Sequence, residues 1–221
     1  MFDDNEIWDE FRWEEFMKEQ DKKVDRYMEL FYRYQDHPDR DEIIAREMGW
    51  TWLLDELAED DSQSLSSNES DEDEGEEWKT SSGILEDKIE EEALDGHSKI
   101  PVYQQTKDFA LRVYRFVDEL PEAKRQDSSV VDFVANAMIA SAKIAGGTGM
   151  GDDLDELGAN IAYCKRGLGA SNLALAALHE MKEKGIINDT SYVSLIREAT
   201  DVRNTIAIHI LDLREKFRRG V

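Results

Sequence analysis

The chain has 221 residues, a single cysteine and a formal net charge of −24. One cysteine, Cys164, excludes an intrachain disulfide, and its apolar helical neighbours Ala162 and Tyr163 predict a buried, reduced thiol. Residues 1–100 hold 11 Lys+Arg against 34 Asp+Glu, whereas residues 101–221 hold 16 against 17, so the charge excess is N-terminal and divides the chain into an acidic part and a neutral part. The start Met-Phe-Asp-Asp carries no basic, apolar leader. No stretch approaches the roughly 18 uninterrupted apolar residues of a membrane span. These features predict a cytoplasmic protein with no membrane partner.

In chain order, Trp8, Phe11, Phe16, Val24, Met28 and Phe31 recur at helical steps among acids and lysines, which predicts one long amphipathic helix from Asp4 to Tyr34. Asp36-His37-Pro38-Asp39 breaks it, and Ile43, Ile44, Met48, Trp52, Leu53 and Leu57 mark one or two short helices beyond. From Asp60 the pattern vanishes into a serine-rich run and then the acidic run Asp71–Glu77, a composition too polar to offset chain entropy. Within it only Ile84–Leu94 has the makings of a transient helix.

Four segments after Pro101 read as helices. The first covers Val102 to Glu119, with Phe109, Val113, Phe116 and Val117 inward. The second runs from Ser128 to about Ala145 through Val130, Val131, Phe133, Val134, Ala137, Met138 and Ile144, stopping in the glycine-rich turn Gly146–Gly151. The third runs from the aspartates Asp152 and Asp153 to Lys184 with Gly185 as its stop, and the fourth from Asp189 to Arg219. The expected fold is therefore all-α: residues 1–59 an acidic amphipathic helical arm, 60–100 a disordered acidic linker rich in Ser, Glu and Asp, and 101–221 an antiparallel up-and-down four-helix bundle. Gly158, Gly167 and Gly169, followed by Ala170, Ser171, Ala174, Ala176 and Ala177, give the third helix a small-residue face. Close packing inside the bundle is its first reading and a subunit contact the second.

The order of features in residues 105–218 resembles the four-helix bundle proteins encoded within bacterial 23S ribosomal RNA genes, a family that includes the accessory variability determinant of diversity-generating retroelements. The likeness rests on Phe109, Ala110 and Tyr114 before Leu120-Pro121, on Ile144-Ala145-Gly146-Gly147-Thr148-Gly149, on Lys184-Gly185-Ile186-Ile187 and on Tyr192. Lys143 and Gly146 stand where the family turn has Asn and Glu, and Asn172 and Leu173 lie where its third helix has a glutamate. The resemblance implies a non-enzymatic bundle without cofactor that assembles as a homo-oligomeric ring, often a pentamer, and binds RNA or a ribonucleoprotein through basic side chains. Candidates for that contact are Lys124, Arg125, Lys165, Arg166, Arg214, Lys216, Arg218 and Arg219.

Other chemistry finds little support. None of the four histidines follows a glutamate by three residues, so the di-iron bundle signature is missing, and no catalytic or metal site is expected. His209 reads as a hydrogen-bonded core histidine, and Asp152, Asp153, Asp155 and Glu156 read as helix-capping acids that would repel a phosphate. Asp41–Leu57 resembles the start of a helix-turn-helix but its second helix offers acids, so a structural turn with Trp50 or Trp52 buried is expected. The arm is either a solubilising tail or a docking element, in which Trp8, Phe11, Trp13 and Phe16 recruit a basic protein partner to residues 1–60. The run Asp71–Glu77 could also fold onto the basic clusters and compete with RNA.

Overall fold

The computed structural model describes residues 7–52, 54 and 100–220, and among them the chain is all-α with no strand. Helices α1 (Glu10–Tyr34) and α2 (Arg40–Met48) are followed by α3 (Pro101–Asp118), α4 (Glu122–Arg125), α5 (Ser128–Met150), α6 (Leu154–Glu183) and α7 (Asp189–Arg219). The chain divides into two compact units, Met1–Glu14 with Lys88–Val221, and Glu15–Asp87. Residues 60–99 of the expected linker, including Asp71–Glu77 and Ile84–Leu94, lie outside the described residues.

In the first unit the long helices contact in a closed cycle, α3 with α5, α5 with α6, α6 with α7 and α7 with α3. Their shared core includes Phe109, Val113, Phe133, Ile144, Ile161, Leu178, Leu195, Ile206 and Leu213. Each such side chain contributes about 1.5–3 kcal/mol on full burial. Phe109 and Phe133 meet edge to face with ring centroids 6.4 Å apart.

Local chemistry sets the ends of these helices. Pro101 opens α3 at the first turn, where its missing N–H costs nothing. Asp127 caps α5 by accepting from the Ser129 amide at 2.9 Å, and Asn188 caps α7 by accepting from the Ser191 amide at 2.8 Å. Past α6, Gly185 takes the left-handed conformation (φ +67°) that reverses the chain.

The glycine-rich segment expected to be a turn is instead helical: α5 continues through Gly146–Gly149 and ends at Met150. The glycines serve packing. A Cβ at Gly147 would lie 3.0 Å from the Asn160 carbonyl oxygen and from Cys164 Sγ, and one at Gly146 would lie 3.2 Å from the Tyr163 ring. The helix breaks at Gly151 (φ +109°), whose carbonyl accepts from the buried Asn160 Nδ2 at 3.0 Å. Among the apolar residues through which α5 runs, Val131 and Met138 face outward, 53% and 36% exposed.

The second unit is smaller. Tyr27 stacks on Trp50 at 5.8 Å, the Arg40 guanidinium lies 4.9 Å from the Phe31 ring centroid, and Arg26 pairs with Glu47 at 3.1 Å. Leu30, Ile44 and Ala45 are buried, whereas Val24 and Trp52 are exposed. Trp50 is half-buried beside Gly49, whose φ of +72° ends α2. Helix α1 also begins later than the periodicity suggests, at Glu10, because Asp9 Oδ1 accepts from the amides of Phe11 and Arg12 and so caps it.

Asp127 gives the fold a pH signature. Hydrogen bonds from Lys184 Nζ and from Ser129 hold its carboxyl down at about 2. A depressed carboxyl contributes stability that is complete above the unfolded value near 3.9 and lost as pH falls through the folded one. The melting temperature of Asp127→Asn is expected to fall below that of the parent chain above about pH 5, with the gap closing as pH drops towards about 2. A gap that stays constant over that range, followed by circular dichroism, would contradict this assignment.

Candidate functional site: a basic face held by the N-terminal segment

Two helices bring three of the eight sequence-nominated cations together. Lys165 and Arg166 are adjacent on α6, and Arg214 comes from the last third of α7, 48 positions further on. The group that joins them is a carboxylate that sequence reading had not singled out. Glu10, only 8% exposed, accepts from Arg214 Nη2 at 2.7 Å and Nε at 3.0 Å, with Lys165 Nζ 3.8 Å away. One turn along α1, Glu14 accepts from Arg166 Nε at 3.0 Å and Nη2 at 3.4 Å. Both arginines thus present a planar fork to one carboxylate, the geometry that gives Arg its preference for carboxylate and phosphate. The Glu10 contact also raises the Arg214 pKa further above its ordinary value.

Apolar contacts seat the same segment. Lys165 Nζ lies 4.7 Å from the Phe11 ring centroid, Trp8 and Trp13 meet edge to face at 5.2 Å, and Arg12 lies 5.1 Å from the Trp8 ring centroid. Gly158 makes the seat: a Cβ there would stand 2.0 Å from the Trp8 carbonyl oxygen and 2.9 Å from Trp13 Cδ1. Gly158 and Lys165 are seven residues apart, two turns, so the notch and the cation share one face of α6. An open groove of about 520 Å³ beside them is lined by Ile7, Asp9, Arg12, Leu154 and Phe217.

The other nominated residues stand elsewhere. Lys216 pairs with Asp152 at 2.6 Å just before α6, and Arg218 and Arg219 pair with Glu215 at 3.1 and 2.8 Å. Lys124 donates to the Ile186 carbonyl at 2.7 Å just after α6, and Arg125 pairs with Asp118 at 3.3 Å. Since α6 has 30 residues, about 45 Å at 1.5 Å per residue, Lys124 and Arg125 lie at the far end from Lys216 and do not share a patch with it. Of the aromatic quartet, Trp8 and Trp13 are half-buried, while Phe11 is 64% exposed beside Lys165 and Phe16 is 37% exposed.

Three side chains behave differently from the expectation. Asp153 occupies the N-cap position of α6 without a capping hydrogen bond from its side chain, and Asp152 is held by Lys216 instead. His209 is half-buried with no hydrogen-bond partner for Nε2 among the described residues, and burial pushes its pKa down. Of the small-residue face, Gly167 is buried where a Cβ would lie 3.2 Å from the Ala140 carbonyl oxygen, whereas Gly169 and Ala176 are exposed. Cys164 is fully buried, 3.4 Å from Asn160 Oδ1, and burial raises its thiol pKa to about 12.

No protein-family model, curated protein or solved structure matches the chain.

Two measurements probe this site. Gly158→Ala is expected to expel the segment, moving Trp8 and Trp13 into water with a red shift of tryptophan emission. Gly169→Ala, whose new methyl meets nothing within 4 Å, should leave the emission unchanged and stabilise α6 by up to about 1 kcal/mol. Equal emission from the two variants would refute the notch. Separately, Cys164 should resist an aromatic disulfide reagent in the native protein at pH 8 and react fully in denaturant. Rapid native labelling would show a thiol more open than described.

Proposed function

We propose that the chain is a non-enzymatic binding and assembly protein, whose helices α3, α5, α6 and α7 form an antiparallel up-and-down four-helix bundle. Its ligand is RNA or a ribonucleoprotein, taken on the face built by Lys165, Arg166 and Arg214. The observation that carries this reading is the convergence of those three cations, from two helices, on carboxylates gripped in a phosphate-compatible way. The resemblance of residues 105–218 to the bundle family of the 23S ribosomal RNA genes points the same way. In this reading Glu10 and Glu14 are an internal stand-in for the ligand, a role sequence reasoning had assigned to Asp71–Glu77.

The runner-up is a protein adaptor with an acidic, aromatic helix. One observation favours it: Val24, Met28 and Tyr32, spaced at four residues, are 59%, 37% and 65% exposed among Asp21, Asp25 and Glu29. Such a stripe suits a basic partner with an apolar groove, and it moves the docking residues of that model away from Trp8 and Trp13.

A gel-shift titration with structured RNA at low and moderate salt separates these models. Charge removal by Glu10→Gln with Glu14→Gln is expected to tighten binding about tenfold, with a steep salt dependence. Adding Arg166→Ala and Arg214→Ala to that variant should abolish the gain. If the Gln variant binds no RNA at low salt, the nucleic-acid reading fails, and the exposed stripe of α1 becomes the surface to pursue.

A further inference from the structure

Helix α5 has an apolar face that none of the described residues covers. Its inner side carries Val130, Phe133, Ala137 and Ile144, all buried. Its outer side carries Val131 (53% exposed), Ala135, Met138 (36%), Ile139 (44%), Ala142 and Gly149, each exposed. These recur at three, four or seven residues and form one stripe about 27 Å long at 1.5 Å per residue. The helix is long and apolar enough to cross a membrane by length and composition, yet only 39% of its most apolar stretch is buried within the chain. Most outward helix faces of a soluble domain are polar. This one has two charges in 23 residues, Asp132 and Lys143.

We propose that this stripe packs on the same stripe of a second copy, α5 antiparallel to α5 about a two-fold axis passing between Met138 and Ile139. The argument is self-complementarity of charge and of size. In that register Ala135 faces Ala142 and Met138 faces Ile139, so in the central part of the stripe bulk meets bulk only at the axis, while Val131 falls opposite the edge of the stripe where Gly146 packs on the Tyr163 ring. Asp132 and Lys143 are eleven residues apart, close to three whole turns, and therefore lie on the same flank of the stripe. A two-fold axis across antiparallel helices brings like flanks together, which sets Asp132 of each copy within about 3 Å, along the helix, of Lys143 of the other. Either charge alone would be a defect beside an apolar surface, and together they fix direction and register. Lys143 Nζ is held 5.5 Å from the Tyr163 ring centroid, at the edge of the stripe. The contact differs from the small-residue face of α6, and it stands apart from the RNA reading because it uses none of Lys165, Arg166 and Arg214.

Sedimentation equilibrium of the full chain, over a concentration series, reads the association directly. The parent chain is expected to sediment as two copies. Asp132→Lys or Lys143→Asp alone places like charges opposite each other twice per dimer and should weaken association about tenfold or more. The double exchange, Asp132→Lys with Lys143→Asp, should restore it to within about threefold of the parent. Both positions face solvent or the stripe edge, so circular dichroism should show all variants folded. A monomer at every concentration overturns the proposal, including one that instead floats with lipid vesicles, which would assign the stripe to a bilayer. So does a larger ring, a pair insensitive to the single exchanges, or a double exchange that fails to rescue.

Discussion

Close approach of α5 and α6 is the constraint on which the rest of the larger unit depends. Gly147 brings the two backbones together at Asn160, and Gly167 brings them together again at Ala140, about two turns of contact held at both ends by the absence of a side chain. Glycine is unfavourable in a helix by about 1 kcal/mol relative to alanine, so each of these positions sacrifices local stability for interhelical packing. Asn160 then ties the junction: its amide donates to the Gly151 carbonyl that ends α5, and its oxygen accepts from the Cys164 thiol. With α6 fixed this way, its two remaining sides are committed, one to α7 and one to whatever fills the notch at Gly158.

What fills it is the chain's own acidic N-terminal segment, and the physics of that contact is a balance rather than a simple gain. Glu10 gives up most of its hydration to lie between Arg214 and Lys165, and ion pairs at such depth return little net stability while specifying geometry strictly. Specificity is the stronger consequence. A carboxylate held by a bidentate guanidinium tolerates little displacement, and the edge-to-face pair of Trp8 and Trp13 orients the entry to α1 over the same glycine. The segment therefore occupies the basic face in one register, and the proposed anionic ligand would meet a defined competitor rather than a diffuse acidic cloud.

The helices were largely readable from the sequence, because periodic apolar residues, Pro101, the Gly185 stop and the Asn188 cap are local signals. The fate of Gly146–Gly149 was not. A glycine run signals a turn unless a neighbouring helix needs close approach, and that neighbour is a tertiary fact. The outward side of α5 was not legible for a similar reason: Val131 and Met138 are apolar, and hydrophobicity names no direction when both sides of a helix have it. At the basic face, the cations were visible but their grouping was not, since 48 positions separate Arg166 from Arg214. Glu10 and Glu14 did carry a signal, their four-residue spacing, yet it was lost among the other acids of the arm.

Solution ionic strength should act unequally on these charges, and that inequality follows from burial. The pairs of Arg218 and Arg219 with Glu215 lie in water, where a Debye length near 8 Å at physiological salt screens them. The Glu10 contact is shielded from that atmosphere, so salt removes it last. An anionic polymer of the kind proposed as ligand would lose its attraction to exposed cations first, while the internal carboxylates keep theirs. On the proposed RNA reading, rising salt would therefore shift the competition towards the N-terminal segment.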